Sequence, residues 1–160
     1  MKFITLITIF LSFPQILFAQ NKASDVVGIW ITAENESKIE IFEQEGKFYG
    51  KIVWLREMTL NGKPKIDGKN PNLQLKNRPI QGMIFMENFT FDGKYQWTNG
   101  NIYDSRSGKT YSSKMGMLPS GQLEIKGCVM GILCGGENWI RLTQDPPGTA
   151  PKNNCAGVPR

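Results

Sequence analysis

Pairs of turn-forming residues recur along the chain at short intervals, and this spacing constrains the fold more than any other feature of the sequence. The pairs are Glu45-Gly46, Asn61-Gly62, Asp67-Gly68, Asp92-Gly93, Asn99-Gly100, Ser107-Gly108 and Ser120-Gly121. Asn-Gly and Asp-Gly favour tight hairpins because these residues tolerate the positive φ that two-residue turns require. The stretches between the pairs are rich in Ile, Val, Phe, Tyr and Trp, and none shows a capped helical stripe. The chain is therefore predicted to be all-β.

Eight segments between these turns are predicted to be strands. They are residues 27–33, 38–44, 47–55, 82–88, 94–97, 109–117, 122–129 and 137–143. Several alternate with a period of two; in the third, Phe48, Gly50, Ile52 and Trp54 share one face. Short turns imply up-and-down antiparallel pairing, and about eight strands are enough to close a barrel.

Two segments do not fit the strand pattern. Residues 58–79 form a long polar connection with no clear strand, and connections of this length are usually functional or disordered. Residues 144–160 contain four prolines and few apolar residues, which predicts a disordered tail. Residues 20–143 are thus predicted to form a single barrel domain.

The first nineteen residues have the pattern of a secretory signal peptide. The basic start Met1-Lys2 is followed by an apolar run over residues 3–18 and by the small residue Ala19. This run is shorter than the ~20 apolar residues that a membrane-spanning helix needs. We predict cleavage after Ala19, export to the periplasm or the cell exterior, and a mature chain without an integral membrane span.

The chain contains no histidine. This excludes the commonest general base at neutral pH, the commonest zinc ligand and every Ser-His or Cys-His nucleophile pair. We therefore predict no catalytic residue, no metal and no cofactor; a hydrolase built on Asp67 and Asp104 is the enzymatic alternative. Nucleic-acid binding is disfavoured, because the net charge of +5 is modest and no aromatic-basic repeat provides a stacking platform.

The three cysteines are Cys128, Cys134 and Cys155. Export places them in an oxidising compartment, where Cys128 and Cys134 are the natural disulfide pair because they bracket one short segment. Cys155 lies in the proline-rich tail, and its fate as a free thiol or as an intermolecular bridge is left open by the sequence.

Trp30 in the first predicted strand and Arg141 in the last are expected to meet. The first and last strands of a closed barrel are neighbours, so a guanidinium can stack on an indole and close the barrel there. The Gly28-Ile29-Trp30 segment and the late arginine resemble those of lipocalins and their relatives. The resemblance implies a structural role for the pair, at the end opposite a ligand mouth.

Three further stretches resemble a single bacterial family. They are Asp67-Gly68-Lys69-Asn70-Pro71 running to Arg78-Pro79-Ile80-Gln81-Gly82, Gly100-Asn101-Ile102-Tyr103-Asp104 with Ser107-Gly108-Lys109-Thr110-Tyr111, and Gly127-Cys128 with Cys134 and Trp139-Ile140-Arg141. Together they resemble the exported proteins of domain-of-unknown-function family 2147, although Ser105 stands where that family commonly has proline. The resemblance implies a small lipocalin-like β-barrel outside the cytoplasm and no established activity.

Basic residues are concentrated in the connection after the third predicted strand. Residues 56–78 carry six basic and two acidic side chains, and this surplus equals the net charge of the chain without Lys2. Such a segment is either a solvated surface loop or attracts an anionic cell-envelope component. The lysines concerned are Lys63, Lys65, Lys69 and Lys76.

Five polar residues are candidates for ligand recognition or for clamping the connection to the barrel. They are Asp67, Asn70, Arg78, Tyr103 and Asp104. If the connection folds over the barrel, we expect Arg78 to pair with Asp104 and Tyr103 to add a hydroxyl.

The sequence favours a non-catalytic carrier or sensor that holds a small apolar or amphipathic ligand in a cavity lined by Met, Phe and Trp. The alternative is an interaction protein with a filled barrel, which engages an anionic cell-envelope partner through residues 56–78. The two hypotheses differ in whether the barrel interior is open.

Overall fold

The computed structural model describes residues 21–129 and 133–142. The predicted signal peptide, residues 1–19, and the predicted tail, residues 144–160, lie outside this part. The described residues form ten strands and three short 3-10 helices. The strands are β1 (Gly28–Ile31), β2 (Ser37–Gln44), β3 (Lys47–Leu55), β4 (Thr59–Leu60), β5 (Lys63–Pro64), β6 (Ile84–Phe91), β7 (Gln96–Asp104), β8 (Lys109–Met117), β9 (Leu123–Val129) and β10 (Leu133–Arg141), and the helices are Ala23–Val26, Ala33–Asn35 and Leu73–Leu75.

Eight of the strands close into an antiparallel barrel in the order β1-β10-β9-β8-β7-β6-β3-β2. From β2 onwards, the barrel strands pair with the next barrel strand along the chain, and the long connection separates β3 from β6. The predicted eight-stranded up-and-down barrel is thus confirmed. Strands β4 and β5 pair only with each other, in a small hairpin outside the barrel.

The inward face of β3 differs in one place from the predicted alternation. Phe48, Gly50 and Ile52 are buried as expected, but the pairing with β2 skips Val53. This bulge shifts the pattern by one residue, because an extra residue in one strand exchanges the faces beyond it. Trp54 consequently lies outside with the Lys38 ammonium 5.2 Å from its ring, and Leu55 packs against the core.

The predicted turn at Asn99-Gly100 is wrong. Strand β7 continues through these residues to Asp104, and Asn99 adopts a positive φ of 60° in a bulge where the pairing with β8 shifts. Gly100 is required because the ring of Phe89 packs directly onto its Cα, where a side chain would overlap the ring. The predicted strand 94–97 was therefore too short.

The long connection between β3 and β6 has more structure than the sequence predicts. Asn61-Gly62 closes the β4–β5 hairpin, and a bridge between Ile66 and Pro79 draws the two arms of the connection together. Asn72 caps the N-terminus of the helix Leu73–Leu75, because its side chain accepts a hydrogen bond from the Gln74 amide. Two-residue strands are too short to leave a period-two signal, so the prediction of no strand here was wrong.

The barrel is plugged at the end where β1 begins and β10 ends, which we call the closed end. The helix Ala23–Val26 lies across this end, and its carbonyl groups accept hydrogen bonds from two buried indoles: Trp30 Nε1 to Val26 at 2.8 Å and Trp97 Nε1 to Ala23 at 3.1 Å. The guanidinium of Arg141 lies 4.3 Å from the centre of a Trp30 ring. It also donates to the carbonyl oxygens of Val27, at 2.8 Å, and Asp25.

We expect Arg141→Lys to destabilise the barrel by about 1–3 kcal/mol, because an ammonium cannot stack on Trp30 while donating to two separate carbonyl groups. Urea unfolding followed by tryptophan fluorescence measures the change. Arg106→Lys is the control, since the Arg106 side chain is 88% exposed and its replacement should leave the unfolding midpoint unchanged. Equal stability of the two variants would show that the stacked guanidinium contributes nothing.

Candidate functional site

A cavity of about 590 Å³ occupies the other end of the barrel. It lies where β3 and β7 end and β2 and β8 begin, which we call the open end. Its floor is made by buried apolar side chains. They are Ile39, Ile52, Met83, Ile125 and Trp139. The volume is within the range of roughly 300–1,000 Å³ that is usual for small-molecule sites.

Glycines keep one wall of this cavity free of side chains. Gly127 of β9 and Gly135 of β10 are direct cross-strand partners, and both line the cavity. Successive residues of a strand point to opposite faces, so Gly127 lies on the same inward face as the buried Leu123 and Ile125. A larger side chain at position 127 would fill the barrel. The cavity therefore exists because the chain places glycine at this level, whereas it places tryptophan at the closed end.

Charged residues surround the mouth of the cavity. Lys65 pairs with Glu57 at 3.0 Å and Arg106 pairs with Asp104 at 3.3 Å. The carboxylate of Glu137 accepts a hydrogen bond of 2.5 Å from Trp139 Nε1, which links the rim to the aromatic floor. An apolar floor with a polar rim suits a ligand that has one apolar part and one polar part.

The long connection is fastened to the barrel by the carboxylate of Asp67, which is fully buried. Tyr103 Oη of β7 donates to Asp67 Oδ1 at 2.6 Å. The other oxygen, Oδ2, accepts from Asn70 Nδ2 at 2.7 Å, from Arg78 Nε at 3.0 Å and from Arg78 Nη2 at 2.9 Å. We call these four residues the Asp67 clamp. A buried carboxylate is tolerated when it is paired and hydrogen-bonded in this way.

The clamp shifts the titration of its two acidic groups in opposite directions. Burial favours the neutral form of Asp67, but the hydrogen bonds from Tyr103, Asn70 and Arg78 and the charge of Arg78 outweigh it and hold the pKa below its ordinary value. Burial and the adjacent carboxylate raise the pKa of Tyr103 to about 12. At neutral pH the clamp therefore contains an ionised Asp67 and a protonated Tyr103.

The expected pairing of Arg78 with Asp104 is wrong. Arg78 reaches Asp67 within its own connection, while Asp104 caps the β7–β8 turn. Asp104 accepts from Ser107 Oγ at 2.8 Å and from the Arg106 amide at 3.0 Å. The four other candidates of the set, Asp67, Asn70, Arg78 and Tyr103, lie together as the clamp, and Tyr103 also lines the cavity. The carboxylates of Asp67 and Asp104 are therefore both engaged in hydrogen bonds within the protein.

Of the four lysines predicted to attract anions, Lys65 alone lines the cavity. The sequence reasoning did not identify Gly127, Gly135 or Glu137 as cavity residues. The signal for the glycines was present, because Gly127 continues the inward alternation of Leu123 and Ile125. Glu137 carried no such signal. It is the first residue of the predicted strand 137–143, where a glutamate that points into solvent would look the same in the sequence.

The predicted disulfide between Cys128 and Cys134 is confirmed. The two residues are cross-strand partners in β9 and β10, next to the glycine pair. Within residues 21–129 and 133–142, no three His, Cys, Asp or Glu side chains are grouped so as to hold a metal ion. In the same residues, no helix is long and apolar enough to cross a membrane.

An eight-stranded antiparallel barrel that is plugged at one end and hollow at the other defines a lipocalin-like protein. This chain is similar to protein HP1028 from the human pathogen Helicobacter pylori, which is described as belonging to the lipocalin family. The two are 31% identical, the match covers 73% of this chain and 82% of that one, and the TM-score is 0.65. No curated protein matches the chain.

Residues 28–141 match the model of the family described as an uncharacterized protein conserved in bacteria, DUF2147. The chain therefore belongs to this family, as the three sequence motifs predicted. The matched range begins at β1 and ends at β10, so it covers every strand of the barrel.

Tyr103→Phe should destabilise the protein by about 1.5–3 kcal/mol at pH 7, because the ionised Asp67 loses one of its hydrogen bonds. The raised pKa of Tyr103 also predicts a pH dependence. Its stabilising contribution is complete below the unfolded pKa of about 10 and is lost as the pH rises towards 12. The variant should therefore lose less stability over this range than the wild type, as measured by urea unfolding at each pH.

Tyr95→Phe is the matched control, since the Tyr95 side chain is 53% exposed and lies outside the clamp. It should unfold like the wild type at pH 7 and should retain the alkaline loss. The clamp assignment would be contradicted if both variants had the same pH profile.

Gly108→Ala tests how the connection rests on the β7–β8 turn. Gly108 has a φ of 73°, and a Cβ there would overlap the carbonyl oxygen of Lys69. Gly121 has a φ of 80° with open space around it. Gly121→Ala should therefore cost about 1–2 kcal/mol for backbone strain alone, and Gly108→Ala about 1–3 kcal/mol more. Thermal unfolding of both variants measures the difference, and equal losses would exclude the contact.

Proposed function

We propose that this protein binds a small apolar or amphipathic ligand in the cavity at its open end, and that it acts as a carrier or sensor outside the cytoplasm without performing chemistry. The observation that carries this proposal is the cavity itself: about 590 Å³ with a buried apolar floor and a charged rim. Burying apolar surface of a ligand there is favourable by roughly 25 cal/mol per Å².

The arrangement of the polar residues supports binding rather than catalysis. The carboxylate of Asp67 is enclosed by Tyr103, Asn70 and Arg78, and Asp104 is used by its turn. Glu137 stands on the rim beside Trp139, where it can orient a polar group of the ligand. Glu137 can thus position a bound molecule, whereas the contacts of Asp67 and Asp104 provide no pair of groups poised for proton transfer.

The alternative, a filled barrel that works only through its surface, is less well supported. In a filled barrel, large side chains would occupy the open end as Trp30, Trp97 and Phe89 occupy the closed end. The glycine pair and the cavity volume favour the open barrel. A role of the basic connection towards an anionic envelope component is compatible with both.

Native mass spectrometry of residues 20–160, purified without detergent, tests the proposal. We expect an added mass that disappears on denaturation, or binding of the apolar fluorescent probe N-phenylnaphthylamine by the empty protein. Absence of both would contradict the proposal.

A matched pair of variants locates the binding. Gly127→Leu places a side chain in the cavity, whereas Gly116→Leu places one on the outside of β8, with the nearest neighbouring atom of a Cβ at 4.0 Å. Probe affinity should fall at least about tenfold in Gly127→Leu, because the added side chain occupies the binding volume. It should be unchanged in Gly116→Leu. Similar affinities of the two variants would mean that the probe binds elsewhere.

A further inference from the structure

The connection between β3 and β6 exposes an unusual share of the protein's apolar surface. Ten large apolar side chains are exposed in the described residues. Five of the ten lie between residues 58 and 75, a short part of the chain. They are Met58, Leu60, Ile66, Leu73 and Leu75. Leu73 is 75% exposed and Leu60 is 65% exposed. An ordered segment that presents several such side chains marks an interaction surface.

The same connection carries basic residues that form no ion pair in the described part of the chain. Its two acidic residues are already used, Glu57 by Lys65 and Asp67 by Arg78. The remaining basic residues make no ion pair within residues 21–129 and 133–142. They are Arg56, Lys63, Lys69 and Lys76. We call these four together with the five exposed apolar residues the mouth patch.

One apolar and one basic residue of the patch lie next to each other. Leu60 and Lys63 are cross-strand partners in the β4–β5 hairpin, and partners of this kind lie side by side on the same face. The patch adjoins the cavity, because Arg56, Lys65 and Ile80 of the same connection line it. The Asp67 clamp holds the connection in place, so the apolar side chains are presented by an ordered backbone.

We propose that the mouth patch docks onto the surface of a lipid bilayer that contains anionic phospholipid. Basic side chains are attracted to such a surface, and leucine and methionine side chains between them enter the boundary of headgroups and acyl chains. An acidic protein would offer charge complementarity for the lysines but would need a shaped counterpart for each separate apolar side chain. A fluid headgroup layer accepts them without one. Arg56 belongs both to the patch and to the lining of the cavity, so docking through the patch brings the cavity mouth close to the lipid.

The inference goes beyond the carrier proposal and does not depend on it. A protein with an occluded cavity would still have the patch, so Gly127→Leu should bind vesicles as the wild type does. Loss of vesicle binding would leave the cavity result untouched, and the two proposals can therefore fail separately.

The test is co-sedimentation of residues 20–160 with vesicles of equal parts phosphatidylcholine and phosphatidylglycerol. These residues contain every strand of the barrel and exclude the apolar segment 3–18, which would bind lipid by itself. We expect binding that weakens as salt is added, and much weaker binding to vesicles of phosphatidylcholine alone. Failure to bind the anionic vesicles would overturn the proposal and favour a protein partner.

Two double variants separate the contributions. Lys63→Gln with Lys76→Gln should reduce the partition coefficient roughly 25-fold, since each basic residue near an anionic surface contributes about fivefold. Leu60→Ser with Leu73→Ser should reduce it about tenfold or more while leaving its salt dependence unchanged.

Tyr95→Ser with Ile140→Ser is the control for the leucine variant. These two side chains are 53% and 57% exposed but lie outside the connection. The control should bind vesicles as the wild type does. If it loses as much binding as the leucine variant, the attraction is a general property of the surface and the proposal is wrong. Circular dichroism verifies that each variant keeps the strand signal.

Discussion

The buried carboxylate of Asp67 determines the shape of the open end. An ionised group out of water is unstable unless donors surround it, and here three side chains supply them. Two of these, Asn70 and Arg78, come from the connection itself, and Tyr103 comes from the barrel wall. The connection cannot move away from the barrel without depriving this carboxylate of the hydrogen bond from Tyr103, the one clamp donor that the barrel supplies. Backbone hydrogen bonds hold the cavity residues of the connection: Ile80 N–H donates to Lys65 at 2.9 Å, and Ile52 N–H donates to Met83 at 3.0 Å.

The two ends of the barrel differ because the sequence places large side chains inside one end and glycines inside the other. Trp30 and Trp97 fill the closed end, and their indole N–H groups are satisfied by a short helix that the chain lays across it. Gly127 and Gly135 leave the open end hollow. A barrel with large residues at both ends would be more stable, since each buried large side chain contributes about 1.5–3 kcal/mol. The chain forgoes that packing at the end where the mouth patch lies.

Much of the fold follows from the sequence, because turn pairs and period-two alternation are local signals. The eight barrel strands, the Cys128–Cys134 disulfide and the contact of Trp30 with Arg141 all depend on which segments are strands and on the closure of the sheet. Two of the wrong predictions have a common physical origin: each depends on a contact between residues that are distant in the sequence. Asn99-Gly100 has the composition of a turn, but the glycine is there to accommodate Phe89. The partner of Arg78 depends on how a long connection folds back on itself, and no local pattern encodes that path.

Bulges are concentrated on β3, whose pairings with both of its neighbours are interrupted. Register shifts interrupt the pairings of β2 with β3, β3 with β6 and β7 with β8. The pairings of β6 with β7, β8 with β9 and β9 with β10 run without interruption. The disulfide joins the two strands of the last pair. Amide protons should therefore be protected longest in β9, and transient opening of the wall should be concentrated around β3 and β6, whose ends the long connection joins. We therefore expect the wall to be easiest to deform at β3, so that a bulky molecule entering or leaving the cavity would displace this strand first.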